Sequence, residues 1–264
     1  MQPPVAITIA GSDSSSGAGI QADLKTFSHF GVYALTVITC VVAEVPGFIA
    51  AIQPVETETI RKQLELALVH FPVAVIKTGM LYSSEIMNVI GDILEALPPS
   101  ERPPMVIDPV MIATSGQPLI QAGAVETSVS RLFPLASIVT PNLDEAAALL
   151  NRRLKSVDEM REGALELYQK FQVPILVKGG HLNSAEAVDL LVDREGVRDF
   201  SEAYQPGAST HGTGCTFAAA IAANLALKLS LREAIEIAKR YVSVAIRESY
   251  RWNRHGKEIS ALKH

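Results

Sequence analysis

The side chains best suited to chemistry lie in a few short polar segments. Thr210-His211-Gly212-Thr213-Gly214-Cys215-Thr216 stands just before a small, apolar helical stretch starting near Phe217. Glycines there let backbone N–H groups converge on an anion, and the dipole of the following helix adds about half a positive charge. The segment is not a Walker A loop, because G-x-x-x-x-G-K-[ST] is absent. In isolation it reads equally well as a glycine-rich turn with Cys215 as a small buried residue. Asp108-Pro109 and Asn142-Leu143-Asp144-Glu145 add acids and an amide at two strand ends. Carboxylates combined with water and phosphate oxygens suit Mg²⁺, which rarely has an all-protein cage. Asn142 also suits a helix N-cap, with Asp144 and Glu145 favouring the dipole. Lys178-Gly179-Gly180-His181 sets a lysine at a strand end, whereas Lys239 falls on a helix and by default faces solvent.

Two other patterns carry less. Gly17-Ala18-Gly19-Ile20-Gln21-Ala22 matches G-x-G-x-x-A, with Glu44 at a plausible distance for a ribose-binding acid of a nicotinamide dehydrogenase. The fit is poor, because that fingerprint should follow its strand immediately and here the strand ends at Ala10. His29, His70, His255 and His264 show no ligand spacing, so a zinc site is not expected from them.

The elements that must position these residues alternate in type. Val5–Ala10, Val32–Val42, Val73–Lys77, Met105–Asp108, Ser137–Thr140 and Pro174–Lys178 read as buried strands. Helical spacing links Ile20, Leu24, Phe27 and Phe30, then Ile60, Leu64, Leu68 and Phe71, then Glu85–Leu97. Ser156 with Glu159, and Ser230 with Glu233, form capping-box patterns that start two further helices. Val188–Val192 and Val197–Tyr204 read as paired strands joined by a Glu-Gly turn, and two helices close the chain. This order implies an α/β fold with a mostly parallel sheet between helical layers. Ligands of such sheets sit outside the carboxyl ends of the strands, where the polar segments fall.

With 264 residues, the chain is read as one domain, residues 1–264, since an α/β unit of roughly this size is commonly single. Its 48% hydrophobic and 19% charged residues exclude intrinsic disorder. Twenty-three basic against 28 acidic residues give a net charge of −5, which argues against a nucleic-acid binder. Cys40 and Cys215 cannot form a disulfide framework and suit a reducing cytosol. No segment reads as an export signal or membrane span, so a cytoplasmic protein is expected.

Taken together, GSDSSSGAGIQADLKTF, VIKTGML, DPVM-ATSG, TPNLDEA, LVKGGH and HGTGCTFAAAIAA resemble the bacterial hydroxymethylpyrimidine/phosphomethylpyrimidine kinases, of the ribokinase-like superfamily. The resemblance runs in unbroken order from about Val5 to Ile246. It implies a ribokinase-like three-layer α/β/α fold and a homodimer. The implied activity is phosphorylation, dependent on ATP and Mg²⁺, of 4-amino-5-hydroxymethyl-2-methylpyrimidine and then of its monophosphate. By the same resemblance Gly11, Asp23, Glu44, Met80 and Val110 line the pyrimidine pocket. Asp108, Asn142, Glu145, Lys178, Thr210 and His211 face the nucleotide, with Asp108 and Glu145 reaching the metal through water. Gly212, Thr213 and Gly214 form the anion hole, Cys215 is the catalytic base, favoured as a thiolate by its helix N-terminus, and Lys239 is a charge near the phosphates.

The chain departs from the family's pattern in two places. Ser15 and Ser16 stand where glycines are usual, and Val42-Ala43-Glu44-Val45-Pro46 replaces a common Thr-Ala-Gln-Asn-Thr. The second change makes residue 44 an acid in place of an amide and points to a preference for the monophosphate step. Two other readings stay open here: a pyridoxal or pyridoxine kinase, and a non-catalytic pyrimidine sensor. A sensor would be marked by loss of Cys215, Lys178 or the Asn142/Glu145 set, and all are present.

Overall fold

In the computed structural model, which describes residues 2–112, 119–180, 186–205, 211–254 and 256–264, the first apolar run forms β1 (Val5–Asp13). It is followed by α1 (Gly19–His29), β2 (Tyr33–Val45), β3 (Phe48–Pro54) and α2 (Thr57–His70). Next come β4 (Val73–Thr78), α3 (Ser84–Ala96), β5 (Met105–Ile107), the single-turn α4 (Ala124–Thr127) and β6 (Ile138–Val139). After these stand α5 (Leu143–Leu150), α6 (Val157–Phe171), β7 (Ile175–Lys178), β8 (Glu186–Asp193) and β9 (Gly196–Ala203). α7 (Thr213–Ala226), α8 (Leu231–Arg247) and a hairpin of β10 (Tyr250–Arg254) with β11 (Lys257–Ala261) complete the order.

One nine-stranded sheet runs β3-β2-β1-β4-β5-β6-β7-β8-β9. Its six strands from β2 to β7 pair in parallel, while β3, β8 and β9 are antiparallel additions at the edges. The strand period of two separates the core into two layers. Ile7, Ile9, Ile76, Ile107 and Val177 meet α2, α3, α5 and α6 on one face. Ala6, Val75, Val106 and Leu176 meet α1, α7 and α8 on the other. Each fully buried Ile or Leu contributes about 1.5–3 kcal/mol of transfer free energy. α7 is alanine-rich and buried through Phe217, Ala218, Ala219 and Ala220, so its slim side chains let its first turn reach the sheet's carboxyl end. Among the described residues no helix is long and apolar enough to cross a membrane.

Three readings of the sequence change. The chain does not close on two helices, because β10 and β11 follow α8. Every residue of β10 is exposed, so it carries no buried face and no alternating pattern to read. β3 is nearly as exposed, and it completes a hairpin across Pro46-Gly47 that the periodicity misses. The capping box at Ser230 and Glu233 is complete, but that at Ser156 is half made. Ser156 Oγ accepts from the Glu159 N–H at 3.1 Å, while the Glu159 carboxylate turns to the Lys155 N–H at 2.7 Å.

Two irregularities interrupt the ladder near the carboxyl ends of β1 and β2. The β1–β2 register shifts between Ala10 and Ser12, at Gly11, and the β2–β3 register shifts between Ala43 and Glu44. Bulges of this kind re-aim side chains at the ends of strands.

Candidate active site

All the polar strand ends open onto one cleft of about 1040 Å³ at the carboxyl edge of the parallel strands. At its centre lies the first turn of α7. Gly212 is the N-cap, with φ +78°. A Cβ there would stand 1.7 Å from the Gly17 carbonyl oxygen, so only glycine lets the two loops pack. Thr216 N–H already bonds to the Gly212 carbonyl at 2.9 Å, and the N–H groups preceding it lack intrahelical acceptors. Such N–H groups can converge on an anion, and a Cβ on Gly214 would lie 3.1 Å from Lys178 Nζ. The ammonium therefore borders the turn.

Lys178 Nζ donates to Asp108 Oδ1 at 2.7 Å, and the two groups are almost entirely buried. Burial works against the lysine's charge, but Asp108 and Glu145 hold it above the ordinary range. Thr140 Oγ1 also donates to Asp108 Oδ1, at 3.4 Å, and Asp108 Oδ2 lies 3.7 Å from the Cβ position of Gly214. Asn142 and Glu145 close a complete capping box on α5: the Asn142 N–H donates to Glu145 Oε2 at 2.7 Å and the Glu145 N–H donates to Asn142 Oδ1 at 2.9 Å. Glu145 is pushed up to about 7 by burial and by Asp108, against the pull of Lys178. Capping and cleft-lining are thus both true of this pair.

Lys239 does not face solvent. It is 8% exposed, lines the cleft, and donates to Asp189 Oδ2 at 2.6 Å. The other oxygen of Asp189 accepts from the Gly179 N–H at 3.0 Å, which ties α8 and β8 to the loop after Lys178.

On the side expected to take a pyrimidine, Gly11, Glu44, Met80 and Val110 all line the cleft. Gly11 packs against Cys40, whose Sγ would be 2.8 Å from a Cβ at position 11. Asp23 does not reach the cleft. It is fully buried with Lys77, whose Nζ donates to both carboxylate oxygens at 2.9 Å, while Thr8 Oγ1 donates to Oδ2. Burial disfavours the Lys77 charge, but the Asp23 carboxylate outweighs it and holds the ammonium above its usual range.

His211, expected on the nucleotide side, instead sits with Nε2 3.2 Å from Asp13 Oδ2 and close to Glu44. Asp13 also accepts from the Ser15 N–H at 2.6 Å, the Gly17 N–H at 3.0 Å and the Ala18 N–H at 2.8 Å. Burial alone would raise its pKa, yet bonds from His211, Ser15 and Ala18 bring it to about 2. Glu44 moves the other way, to about 7, through burial and the Asp13 charge, with His211 opposing. The folded value lies above the reference of 4.5, so this group's stabilisation is full below the reference and lost as pH rises through about 7. Glu145 shares the window. Glu44→Gln should raise the melting temperature above about pH 7 and leave it nearly unchanged near pH 5, flattening the profile in part. Melts in chelator-treated buffer check this, and an unchanged profile would contradict it.

Cys215 faces the cleft from the first turn of α7, but the structure reverses the expected thiolate. Burial, with the charges of Asp108 and Asp23, pushes its thiol up to about 11 despite Lys77. The helix N-terminus is outweighed. Thr210 lies outside the described residues, as do His181, His255 and residues 113–118. Sequence reading misses Asp13, Lys77 and Asp189. Asp13 stands in the Gly-Ser-Asp turn and Lys77 in the VIKTGML segment, where both could have been found, whereas Asp189 sits inside an apolar strand with no motif around it.

Residues 13–260 match the family model described as phosphomethylpyrimidine kinase. The chain is 41% identical over 243 residues to a hydroxymethylpyrimidine/phosphomethylpyrimidine kinase of Rhizobium meliloti, covering 92% of this chain and 90% of that protein. It is 44% identical over 241 residues to the thiamine biosynthesis bifunctional protein ThiED of Geobacter sulfurreducens, covering 91% of this chain but only 49% of that longer protein. Among solved structures, an ADP complex of Bacillus subtilis pyridoxal kinase superposes with a TM-score of 0.88 at 37% identity, covering 99% of this chain and 97% of that one. The fold is accordingly ribokinase-like, and with nearly its whole length matched the chain belongs to the phosphomethylpyrimidine kinase family.

Proposed function

We propose that this protein is a single-domain kinase that moves the terminal phosphoryl group of ATP to 4-amino-5-hydroxymethyl-2-methylpyrimidine, and then to its monophosphate, for thiamine biosynthesis. The observation that carries the reading is the α7 turn, which lies in one cleft between Lys178–Asp108 and the wall of Gly11, Met80 and Val110. Phosphoryl transfer needs little covalent help from the protein. It needs in-line placement and charge stabilisation, which convergent N–H groups beside Lys178 and Lys239 supply. The relative solved with ADP supports ATP as donor.

Magnesium fits the donor set. Asp108 Oδ1 is taken by Lys178 and Thr140, leaving Oδ2 toward the α7 turn, and Glu145 lines the same cleft. Carboxylates held this way suit an ion that keeps most of its waters. When bound, Mg²⁺ supplies neutralisation of the phosphate charge. Glu145→Gln retains the capping box, since either side chain can accept from the Asn142 N–H. It should raise the Mg²⁺ concentration for half-maximal rate with the fold intact. An activity loss identical at limiting and saturating Mg²⁺ would remove Glu145 from this role.

Cys215 acts as the base for the first transfer, in which an alcohol loses a proton as it attacks. The second acceptor is a phosphate monoester with a second pKa of about 6, so it is already largely ionised. With its thiol raised by burial to about 11, Cys215 must first lose its own proton to act as a base, a step that the Lys77 charge favours and the Asp108 and Asp23 charges oppose. Cys215→Ala should depress alcohol turnover well beyond monophosphate turnover, and equal losses in kcat would assign the thiol to packing.

Glu44 supports a preference for the monophosphate. Above about pH 7, where Glu44 is ionised, its carboxylate only accepts, so it faces the ring nitrogen of an aminopyrimidine as a second acceptor, which costs about 1–3 kcal/mol when buried. A phosphorylated acceptor has the α7 turn as further anchorage. Exposed Val41, Val45 and Phe48 on the β2–β3 hairpin support a homodimer through that edge. The reading places the enzyme in the cytoplasm.

The second reading, a pyridoxal kinase, draws on the similarity to the Bacillus subtilis enzyme. ADP release measured with the pyrimidine alcohol, its monophosphate, pyridoxal and pyridoxine decides between them. Turnover of both pyrimidines is expected. Turnover of neither would overturn the proposal, and a dominant pyridoxal rate would establish the second reading.

A further inference from the structure

We propose that Ser14 is a positioning residue for acceptor recognition: its hydroxyl grips the backbone of Glu44 and so holds that side chain at the pyrimidine end of the cleft. The inference rests on the reading of Glu44 as the group that meets the acceptor ring. Glu44 stands where the main ladder stops supporting β2. Pairing of β1 with β2 runs out at Asp13 and Val42, and the β2–β3 register shifts just before residue 44. One further backbone bond joins the Ser14 N–H to the Val42 carbonyl at 3.2 Å. The hydroxyl of the same serine then takes the place that another residue of β1 would hold. It accepts from the Glu44 N–H at 2.9 Å and donates to the Glu44 carbonyl at 2.9 Å. A single hydroxyl can do both, because it carries one donor and two acceptor lone pairs.

The grip decides where the carboxyl goes. Glu44 shares a strand face with Val42, and both line the cleft, while the alternate residues Val41, Ala43 and Val45 are exposed. The carboxyl has no hydrogen bond or ion pair of its own among the described residues, so its place depends on its backbone. That place does not favour a charge. A carboxyl oxygen of Glu44 lies within 4.8 Å of an oxygen of Asp13, from β1, and of a ring nitrogen of His211, from the turn before α7. Cys40, buried on β2 itself, is the other titratable group that interacts with it, and β3 brings none. Burial and Asp13 raise Glu44 to about 7 against the pull of His211, whereas a carboxyl released into water would return to its ordinary range. The pH dependence that Glu44 imposes therefore reports its placement. The bonds to Ser14 are solvent-exposed, so water can satisfy the groups that Ser14→Ala frees and the fold should survive.

Two measurements test this on the wild type, Ser14→Ala, Ser14→Thr, Glu44→Gln and the Ser14→Ala/Glu44→Gln double variant. The first is calorimetric binding of the pyrimidine alcohol on either side of neutral pH, with Glu44→Gln correcting for titration of the ligand itself. Between about pH 6 and about pH 8, wild-type affinity should fall at least about fivefold more than that of Glu44→Gln, the low end of the cost of an unpaired acceptor. Ser14→Ala should lose that extra fall to within about twofold, Ser14→Thr should keep it, and the double variant should match Glu44→Gln alone. The second is a set of thermal melts across the same range, without ligand. Ser14→Ala should flatten the melting profile as Glu44→Gln does, because a solvated carboxyl no longer costs stability as pH rises through about 7. A Ser14→Ala protein that keeps the wild-type steepness, or whose effect adds to that of Glu44→Gln, would overturn the proposal. So would loss of the extra fall in Ser14→Thr as well, which would leave Ser14 a packing role. Equal binding profiles for the wild type and Glu44→Gln, with flattened melts in Ser14→Ala, would overturn the acceptor role of Glu44 rather than the grip of Ser14 on it.

Discussion

Replacing Gly212 with alanine is expected to lower kcat by about 10²–10³-fold, the usual cost of losing a preorganised oxyanion donor. Two effects combine at this position. Its φ of +78° costs an L-residue about 1–2 kcal/mol. More decisively, the new Cβ would stand 1.7 Å from the Gly17 carbonyl oxygen and 2.7 Å from its carbon. Those are backbone atoms of the facing loop and cannot rotate away. The α7 turn must shift, carrying its N–H groups from the position that Lys178 flanks. Gly31→Ala separates the two causes, since Gly31 has φ +70° but nothing within 4 Å of its Cβ position. That control should lose stability and keep kcat. Steady-state kinetics and thermal melts of both variants test the argument. A Gly212→Ala enzyme within about threefold of wild type would show that the turn does not hold the transferred group.

Asp23→Asn and Lys77→Met are each expected to destabilise the fold by about 3–5 kcal/mol, the cost of leaving a buried charge without its partner. Both side chains are 0% exposed, and the ammonium donates to both carboxylate oxygens at 2.9 Å. Removal of either partner leaves an ion that water cannot reach. Asp23→Leu combined with Lys77→Met removes both charges, and it should recover most of the loss, because apolar replacements of a buried pair are often neutral or stabilising. Urea unfolding of the three variants measures this. Single variants within about 1 kcal/mol of wild type would mean that the pair is solvated or otherwise satisfied. The prediction also concerns the cleft, since the charges of Lys77 and Asp23 act on Cys215 in opposite directions.

Local chemistry in the sequence is enough to determine the alternation of strands and helices, the complete cap at Ser230 and the glycine turn at Gly212–Gly214 that opens α7. Each depends on neighbours within about one turn or one strand, where period, capping and φ preference act directly. The exposed strands β3 and β10 escape the same reading because no buried face imposes a period on them.

What only the tertiary structure decides is the charge state and partner of each functional group. His211 meets Asp13 across 198 residues, Lys77 meets Asp23 across 54, and Lys239 meets Asp189 across 50. No local pattern announces such pairs. Asp23 looks like a pocket residue in its motif and is instead spent on a buried lysine. Cys215 sits where a helix N-terminus favours a thiolate, yet burial and two nearby carboxylates leave it a thiol. The physical reason is the same in both cases. Desolvation and Coulomb interactions depend on distance through space, and the packing of the sheet against its helices sets those distances after the local elements are already formed.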